Sequence, residues 1–213
     1  MSDIVPIVHV VDDDASVRTA LTRLLRVAGY AVRAWASANT FLRAGAFEGL
    51  GCILLDLRMP EMDGLELQQA LVLQQAQAHH PGLPIIFLTG HGDIATGVRA
   101  MKAGAVDFLT KPVERETLLA AVAHALARDS ANHTVHEELL ALQQRYASLT
   151  PREREVFARV TAGTPNKQIA AEIGAAERTV KLHRARVMEK MQAKSLAELV
   201  RIADRLNATS SPH

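Results

Sequence analysis

Residues 7–14 read IVHVVDDD, a β-branched apolar run that stops abruptly in three aspartates. Nothing in IVHVV alternates with polar positions, as a half-solvated strand would, so the run predicts a strand buried on both faces. Four more short runs of this kind follow: AVRAW (31–35), CILLD (52–56), PIIFLT (84–89) and AVDFL (105–109). Between them lie helical patterns at 15–27, closed by Gly29, and at about 38–45, 65–78, 94–103 and 114–127. Strands that alternate with helices pair in parallel, because a parallel neighbour requires a long crossover. Right-handed crossovers then predict a doubly wound, five-stranded parallel sheet with helices on both faces.

The rest of the chain is different. Residues 128–147 are polar and helix-permissive, with Leu139, Leu140 and Leu142, and predict a helical linker. From 148 onward no strand pattern returns. LTPREREVFARVTAG, NKQIAAEIG, ERTVKLHRARVMEKM and SLAELVRIADRL predict four helices, interrupted at Gly163, Gly174 and Ala193–Lys194. The expected organisation is therefore an α/β domain over 1–127, a linker over 128–147 and an all-α domain over 148–213.

Charge follows the same division. Residues 1–127 carry 10 Lys/Arg against 13 Asp/Glu, whereas 148–213 carry 12 against 7. The net charge of +1 thus conceals a basic second part suited to a polyanion. With 48% apolar and 22% charged residues, the chain has material for a real core and is not a disordered or low-complexity protein. One cysteine, Cys52, excludes an internal disulfide. No apolar run reaches the ~18 residues of a membrane span, and the N-terminus is acidic where a signal peptide is basic. These features lead to the expectation of a soluble cytoplasmic protein without membrane contact.

In an open parallel sheet the functional groups gather at the carboxyl ends of the strands. There the sequence places Asp12, Asp13 and Asp14 after the first strand, Asp56 at the end of the third, Thr89 at the end of the fourth, and Lys111–Pro112 after the fifth. Clustered carboxylates repel and call for a cation. An all-oxygen, solvent-open donor set suits Mg²⁺, and a carboxylate beside it can attack phosphorus, with a hydroxyl and an ammonium stabilising the transferred group. Capping and turn chemistry offers another reading, strongest for Asp14.

VVDDD (10–14), ILLDLRMPEMDG (53–64), FLTGHGD (87–93) and DFLTKP (107–112) resemble the receiver domain of bacterial two-component response regulators, a flavodoxin-like fold. The resemblance implies that Asp56 is the phosphoacceptor, and that Asp12, Asp13, Asp56 and the backbone carbonyl of Arg58 hold Mg²⁺. It further implies that Thr89 and Lys111 contact the phosphoryl group, that Phe108 reorients with Thr89, and that Lys111–Pro112 is cis. Phe108 also reads as plain core. Arg58 and His91 read either as modulators of acyl-phosphate hydrolysis or as ordinary loop residues. His79–His80 and His133/His136 have no third ligand and make poor metal sites.

In the second part, NKQIAAEIG and the helix after it have helix–turn–helix spacing. At 100° per residue, Val180, Val187 and Met191 share one apolar seam, while Arg178, Lys181, Leu182, Ala185 and Arg186 face away. SLTPREREV (148–156), NKQIAAEIG (166–174) and RTVKLHRARVMEKM (178–191) resemble the LuxR-type helix–turn–helix domain, so the whole chain resembles the FixJ/NarL class of response regulators. That resemblance implies a recognition helix at 177–191 in the major groove of promoter DNA. The last helix, at about 195–206, would pair two copies. Lys181 and Leu182 match base-approaching positions; Ala185 departs from NarL-like relatives, which carry a cation there. Thr164, Asn166, Lys167 and Thr179 are candidates for phosphate contacts at helix starts. His183 is expected to pack or cap rather than read a base, and the role of Arg184 is open.

The resulting expectation is a transcription factor phosphorylated at Asp56 by a sensor histidine kinase, with dimerisation or domain docking altered in consequence. An aspartate-nucleophile phosphatase is the enzyme rival, but it wants a second acid where Arg58 stands. A constitutive DNA-binding protein that uses its receiver only to dimerise is the other.

Overall fold

The computed structural model describes residues 5–45, 49–78, 82–90 and 94–210. His79, His80 and His91 lie outside them. The described chain divides into two compact units, Met1–Thr134 and Val135–His213.

In the first unit the strands are β1 (Ile7–Val11), β2 (Ala31–Trp35), β3 (Gly51–Asp56), β4 (Ile85–Thr89) and β5 (Asp107–Thr110). They form one parallel sheet in the order β2-β1-β3-β4-β5. The helices are α1 (Ala15–Val27), α2 (Ala38–Arg43), α3 (Gly64–Ala78), α4 (Ile94–Lys102) and α5 (Arg115–Ala147). The expected doubly wound sheet is thus present, with boundary shifts of a few residues. β5 begins at Asp107 rather than at 105, and α2 ends at Arg43.

Strand residues of opposite parity face opposite layers. Val8, Val10, Cys52, Leu54, Ile86 and Leu88 pack with Leu21 and Leu25 of α1 and with Leu118, Val122 and Ala125 of α5. Val11, Ile53, Leu55, Ile85 and Phe87 pack with Phe41 of α2, Leu67 and Leu71 of α3 and Ala100 of α4. The central strands β3 and β4 are buried throughout, while the edge strand β2 exposes Arg33 and Ala34. This is why the first reads as continuous apolar sequence and the second as AVRAW.

One histidine sits inside this core. His9 is buried, and its Nδ1 accepts the Trp35 indole N–H at 3.2 Å. Its ring lies against Trp35 and edge-on to Phe41. Burial, reinforced by the Arg33 charge, lowers its pKa to about 4.

The second unit contains α6 (Pro151–Thr161), α7 (Asn166–Glu172), α8 (Glu177–Lys190) and α9 (Leu196–Ser210). Val156, Phe157, Ile169, Val180, Val187, Met191, Leu199 and Ile202 form its core, together with Leu142 from the end of α5. The span 128–147, expected as a helical linker, continues α5 without a break. Asp129 is buried in the first unit, where its Oδ2 accepts the Gly51 N–H at 2.8 Å. Thr150 and Glu153 close a reciprocal capping box at the start of α6, with Pro151 in its first turn. α9 runs to Ser210, past the expected end near 206.

Candidate functional site

The sheet register builds the pocket. Val11 pairs with Leu55, so the residues after them, Asp12 and Asp56, emerge level at the carboxyl edge of adjacent strands. One carboxylate oxygen from each of Asp12, Asp13 and Asp56 lies within 4.8 Å of the others. Asp12 and Asp56 are buried and Asp13 is exposed. Lys111 follows β5, two strands from β3, yet its Nζ is 2.6 Å from both Asp12 Oδ2 and Asp56 Oδ1. Its backbone N–H donates to the Thr89 carbonyl at 2.6 Å, which ties the β5 exit to the end of β4. Lys111–Pro112 is cis.

The electrostatics follow from this packing. Burial raises the Asp56 pKa, and Asp12 adds to the rise, while the Lys111 ammonium and the Arg58 N–H pull it down. Burial alone would lower Lys111, but its two carboxylate partners outweigh that and hold its pKa above the usual lysine value. The ammonium thus serves as the counterion of the acidic pair.

Asp14 belongs to a different structure. Its Oδ1 accepts the Ser16 N–H at 2.7 Å and the Ser16 hydroxyl at 2.6 Å, and it is the N-cap of α1. Those bonds hold its carboxyl below the usual aspartate range. Asp12 is held from three sides: Oδ1 accepts the Asp14 N–H at 2.9 Å, Oδ2 binds Lys111, and its carbonyl accepts Arg18 Nη1 at 2.7 Å. Arg18 was not singled out by the sequence, although its place one turn after the Asp14 cap is a usable signal.

The loop after β3 curls back over the end of that strand. Arg58 N–H donates to Asp56 Oδ2 at 3.1 Å, and the Arg58 side chain is exposed. At Gly64 a Cβ would stand 2.5 Å from the Asp56 carbonyl oxygen and 2.9 Å from the Phe87 ring, so only glycine lets α3 begin there. Thr89 is buried, and Phe108 is half-buried against Gly97 of α4 and tilted on Phe87. Among the described residues, Asp12, Asp13 and Asp56 form the one acidic or histidine group arranged to hold a metal; His133 and His136 are not part of one.

In the second unit Val180, Val187 and Met191 are fully buried, as the seam requires. Arg178, Thr179, Lys181, Ala185 and Arg186 are exposed, and so is Lys167 on α7. Leu182 is 51% exposed. Lys181 pairs with Glu177 at 3.3 Å on the surface, an interaction that readily yields to another anion. No side chain caps the start of α8. His183 is half-buried and its Nδ1 has no hydrogen-bond partner.

Glu153 is 2% exposed and its Oε2 accepts Lys190 Nζ at 2.6 Å, which ties α6 to the last turn of α8. The Lys190 bond, with the Thr150 N–H, lowers the Glu153 pKa to about 2. The T-P-R-E spacing at 150–153 announces the cap, but not the partner 37 residues away.

The sequence matches the family described as "Response regulator receiver domain" over residues 8–123, and "Bacterial regulatory proteins, luxR family" over 147–203. It is 44% identical to Nodulation protein W of Bradyrhizobium diazoefficiens, over 96% of this chain and 88% of that one. It is 46% identical to the tetrathionate response regulatory protein TtrR of Salmonella typhimurium, over 91% and 90%. Among solved structures, the response regulator StyR matches with a TM-score of 0.82 at 46% identity, covering 94% of this chain and 98% of that one. Full-length FixJ from B. japonicum matches at 0.55 and 42%, covering 95% and 98%. With a receiver domain over 8–123 and a LuxR-type helix–turn–helix over 147–203, the chain belongs to the response regulators of transcription.

Proposed function

We propose that Asp56 accepts a phosphoryl group from a sensor histidine kinase and that this modification controls binding of the second unit to promoter DNA. The observation that carries the reading is the convergence of Asp12 and Asp13 from the end of β1 with Asp56 from the end of β3, and the Lys111 ammonium set between Asp12 and Asp56.

An Asp56 carboxylate oxygen forms the new O–P bond while the donor's P–N bond breaks and the donor imidazole leaves. Lys111, already within hydrogen-bond distance of Asp56, turns to the arriving phosphoryl oxygens, and the Thr89 hydroxyl donates to them. The donor set is entirely oxygen, which fits Mg²⁺: the Asp12, Asp13 and Asp56 carboxylates and the Arg58 carbonyl would hold it. When bound, Mg²⁺ neutralises charge on the transferring group. Phe108 packs against Gly97 of α4 and would reorient together with Thr89, which alters the α4–β5 face and thereby dimerisation or domain docking. The chain is a stoichiometric acceptor rather than a turnover enzyme and acts in the cytoplasm.

In this reading residues 1–127 are the phosphoacceptor domain, 128–147 the helical linker and 148–213 the DNA-binding domain. α8 enters the major groove with Lys181 and Leu182 toward base edges. Lys167, Arg178, Thr179 and Arg186 lie near phosphates, and α9 pairs two copies.

The test is sedimentation and duplex-DNA retention of the full chain with and without Mg²⁺ and beryllium fluoride. A shift to dimer with tighter DNA binding supports the reading; identical mass and affinity in both conditions contradict it.

A further inference from the structure

The inner seam of α8 runs Val180, Arg184, Val187, Met191, at helical spacing. Three of these side chains are fully buried apolar groups; the other is a half-buried arginine. A guanidinium on an inward face costs desolvation unless its donors are met. Arg184 Nη1 reaches across to α7 and donates to Asn166 Oδ1 at 3.2 Å.

That bond decides how the Asn166 amide is turned. The oxygen must face the guanidinium, because two donors cannot face each other, so the Nδ2 hydrogens are directed away from it. Among the described residues Asn166 makes no other side-chain hydrogen bond. Asn166 is half-buried in the first turn of α7, with the exposed Lys167 next to it and Thr164 two residues before. A neutral donor held in one orientation beside an exposed cation suits an oxygen of the nucleic-acid backbone.

We propose that Arg184 is a positioning residue of the DNA interface, and that through its bond to Asn166 Oδ1 it aims the Asn166 Nδ2–H at a backbone phosphate of the bound duplex. This rests on the reading of the second unit as DNA-binding. Arg184 itself holds no phosphate.

A direct cation–phosphate contact and a positioning contact leave different traces. Removing a cation that touches a phosphate lowers the log–log salt slope of binding by about one; removing a residue that only orients a neutral amide leaves the slope unchanged. If Arg184 acts through Asn166, the two losses are also not additive.

The experiment measures affinity of the full chain, with Mg²⁺ and beryllium fluoride, for a random-sequence 30-base-pair duplex across a salt series. The variants are Arg184→Met, Asn166→Ala and the double variant, with Arg184→Lys as the charge-preserving control and a thermal midpoint for each. A single lost hydrogen bond corresponds to about a fivefold loss per domain. The expected result is about that loss for Arg184→Met and for Asn166→Ala, no further loss in the double variant, unchanged salt slopes, and partial recovery in Arg184→Lys. A slope reduced by about one in Arg184→Met overturns the proposal in favour of a direct phosphate contact. Additive losses, or a lower midpoint with unchanged affinity, overturn it in favour of a purely structural role. Failure of the unsubstituted chain to bind the duplex refutes the DNA-binding reading itself.

Discussion

Lys111→Met removes the cation from between Asp12 and Asp56 and keeps the length of the aliphatic stem. In the structure the Lys111 side chain is 22% exposed and its ammonium is 2.6 Å from each carboxylate. Each charge-assisted bond of this kind contributes roughly 1.5–3 kcal/mol, and part of that is offset by the lysine's own desolvation. The two carboxylates would then face each other without a counterion. A net loss of about 2–3 kcal/mol follows in the absence of divalent metal. For a domain of this size that is roughly a 6–12 °C fall in the receiver's thermal midpoint. Both contributions by which Lys111 lowers the Asp56 pKa also vanish, so burial carries that pKa higher still. Adding Mg²⁺ neutralises the same carboxylates, so the midpoint should rise more in the variant than in the unsubstituted chain. Calorimetry of the full chain, in chelator and then in millimolar Mg²⁺, reads both effects. A variant that melts within about 2 °C of the unsubstituted chain in chelator, or that gains no more from Mg²⁺, would refute the counterion argument.

Two pH dependences follow from buried groups. His9 has a pKa of about 4 when folded, below the ordinary histidine value of 6.5, so its contribution is complete above about pH 6.5 and is lost as pH falls toward 4. Up to roughly 3 kcal/mol is at stake; the receiver's midpoint should drop across that window, and His9→Gln, which keeps an acceptor for Trp35, should flatten the drop. Glu153 has its pKa lowered to about 2, so its contribution is present above about pH 4.5 and is lost as pH falls toward 2. Lys190→Met should lower the midpoint of the second unit by roughly 1–2 kcal/mol at neutral pH and shrink its acid dependence below pH 4.5. An unchanged acid limb would show that Lys190 is not the partner that matters.

Much of the receiver was legible because its strands are buried on both faces and its pocket residues follow them directly. IVHVV and CILLD could hardly be anything but central strands, and the aspartates after them had to meet at one sheet edge. The outward face of α8 was legible for a similar reason: the interval from Val180 to Val187 and Met191 fixes which face is outward. Long-range polar pairs were not legible. Asp129 on Gly51, Glu153 on Lys190 and Arg184 on Asn166 each join elements whose mutual placement is set by tertiary packing, and no local period encodes it. Asp14 marks the boundary between the two cases. Its position beside Asp12 and Asp13 allowed either pocket or cap, with the cap the stronger reading, and its hydrogen bonds to Ser16 bear out the cap.

The central claim is that Asp56 is the residue modified and that the modification needs the neighbouring carboxylates. It is tested most directly by intact-mass measurement after incubation with a small phosphodonor and Mg²⁺, on the unsubstituted chain, Asp56→Asn and Asp13→Ala. Asparagine keeps the shape of Asp56 but lacks the anionic nucleophile. The account predicts a mass gain of one phosphoryl group in the unsubstituted chain, none in Asp56→Asn, and a gain in Asp13→Ala that requires much more Mg²⁺. Equal phosphorylation of the unsubstituted chain and Asp56→Asn would contradict it.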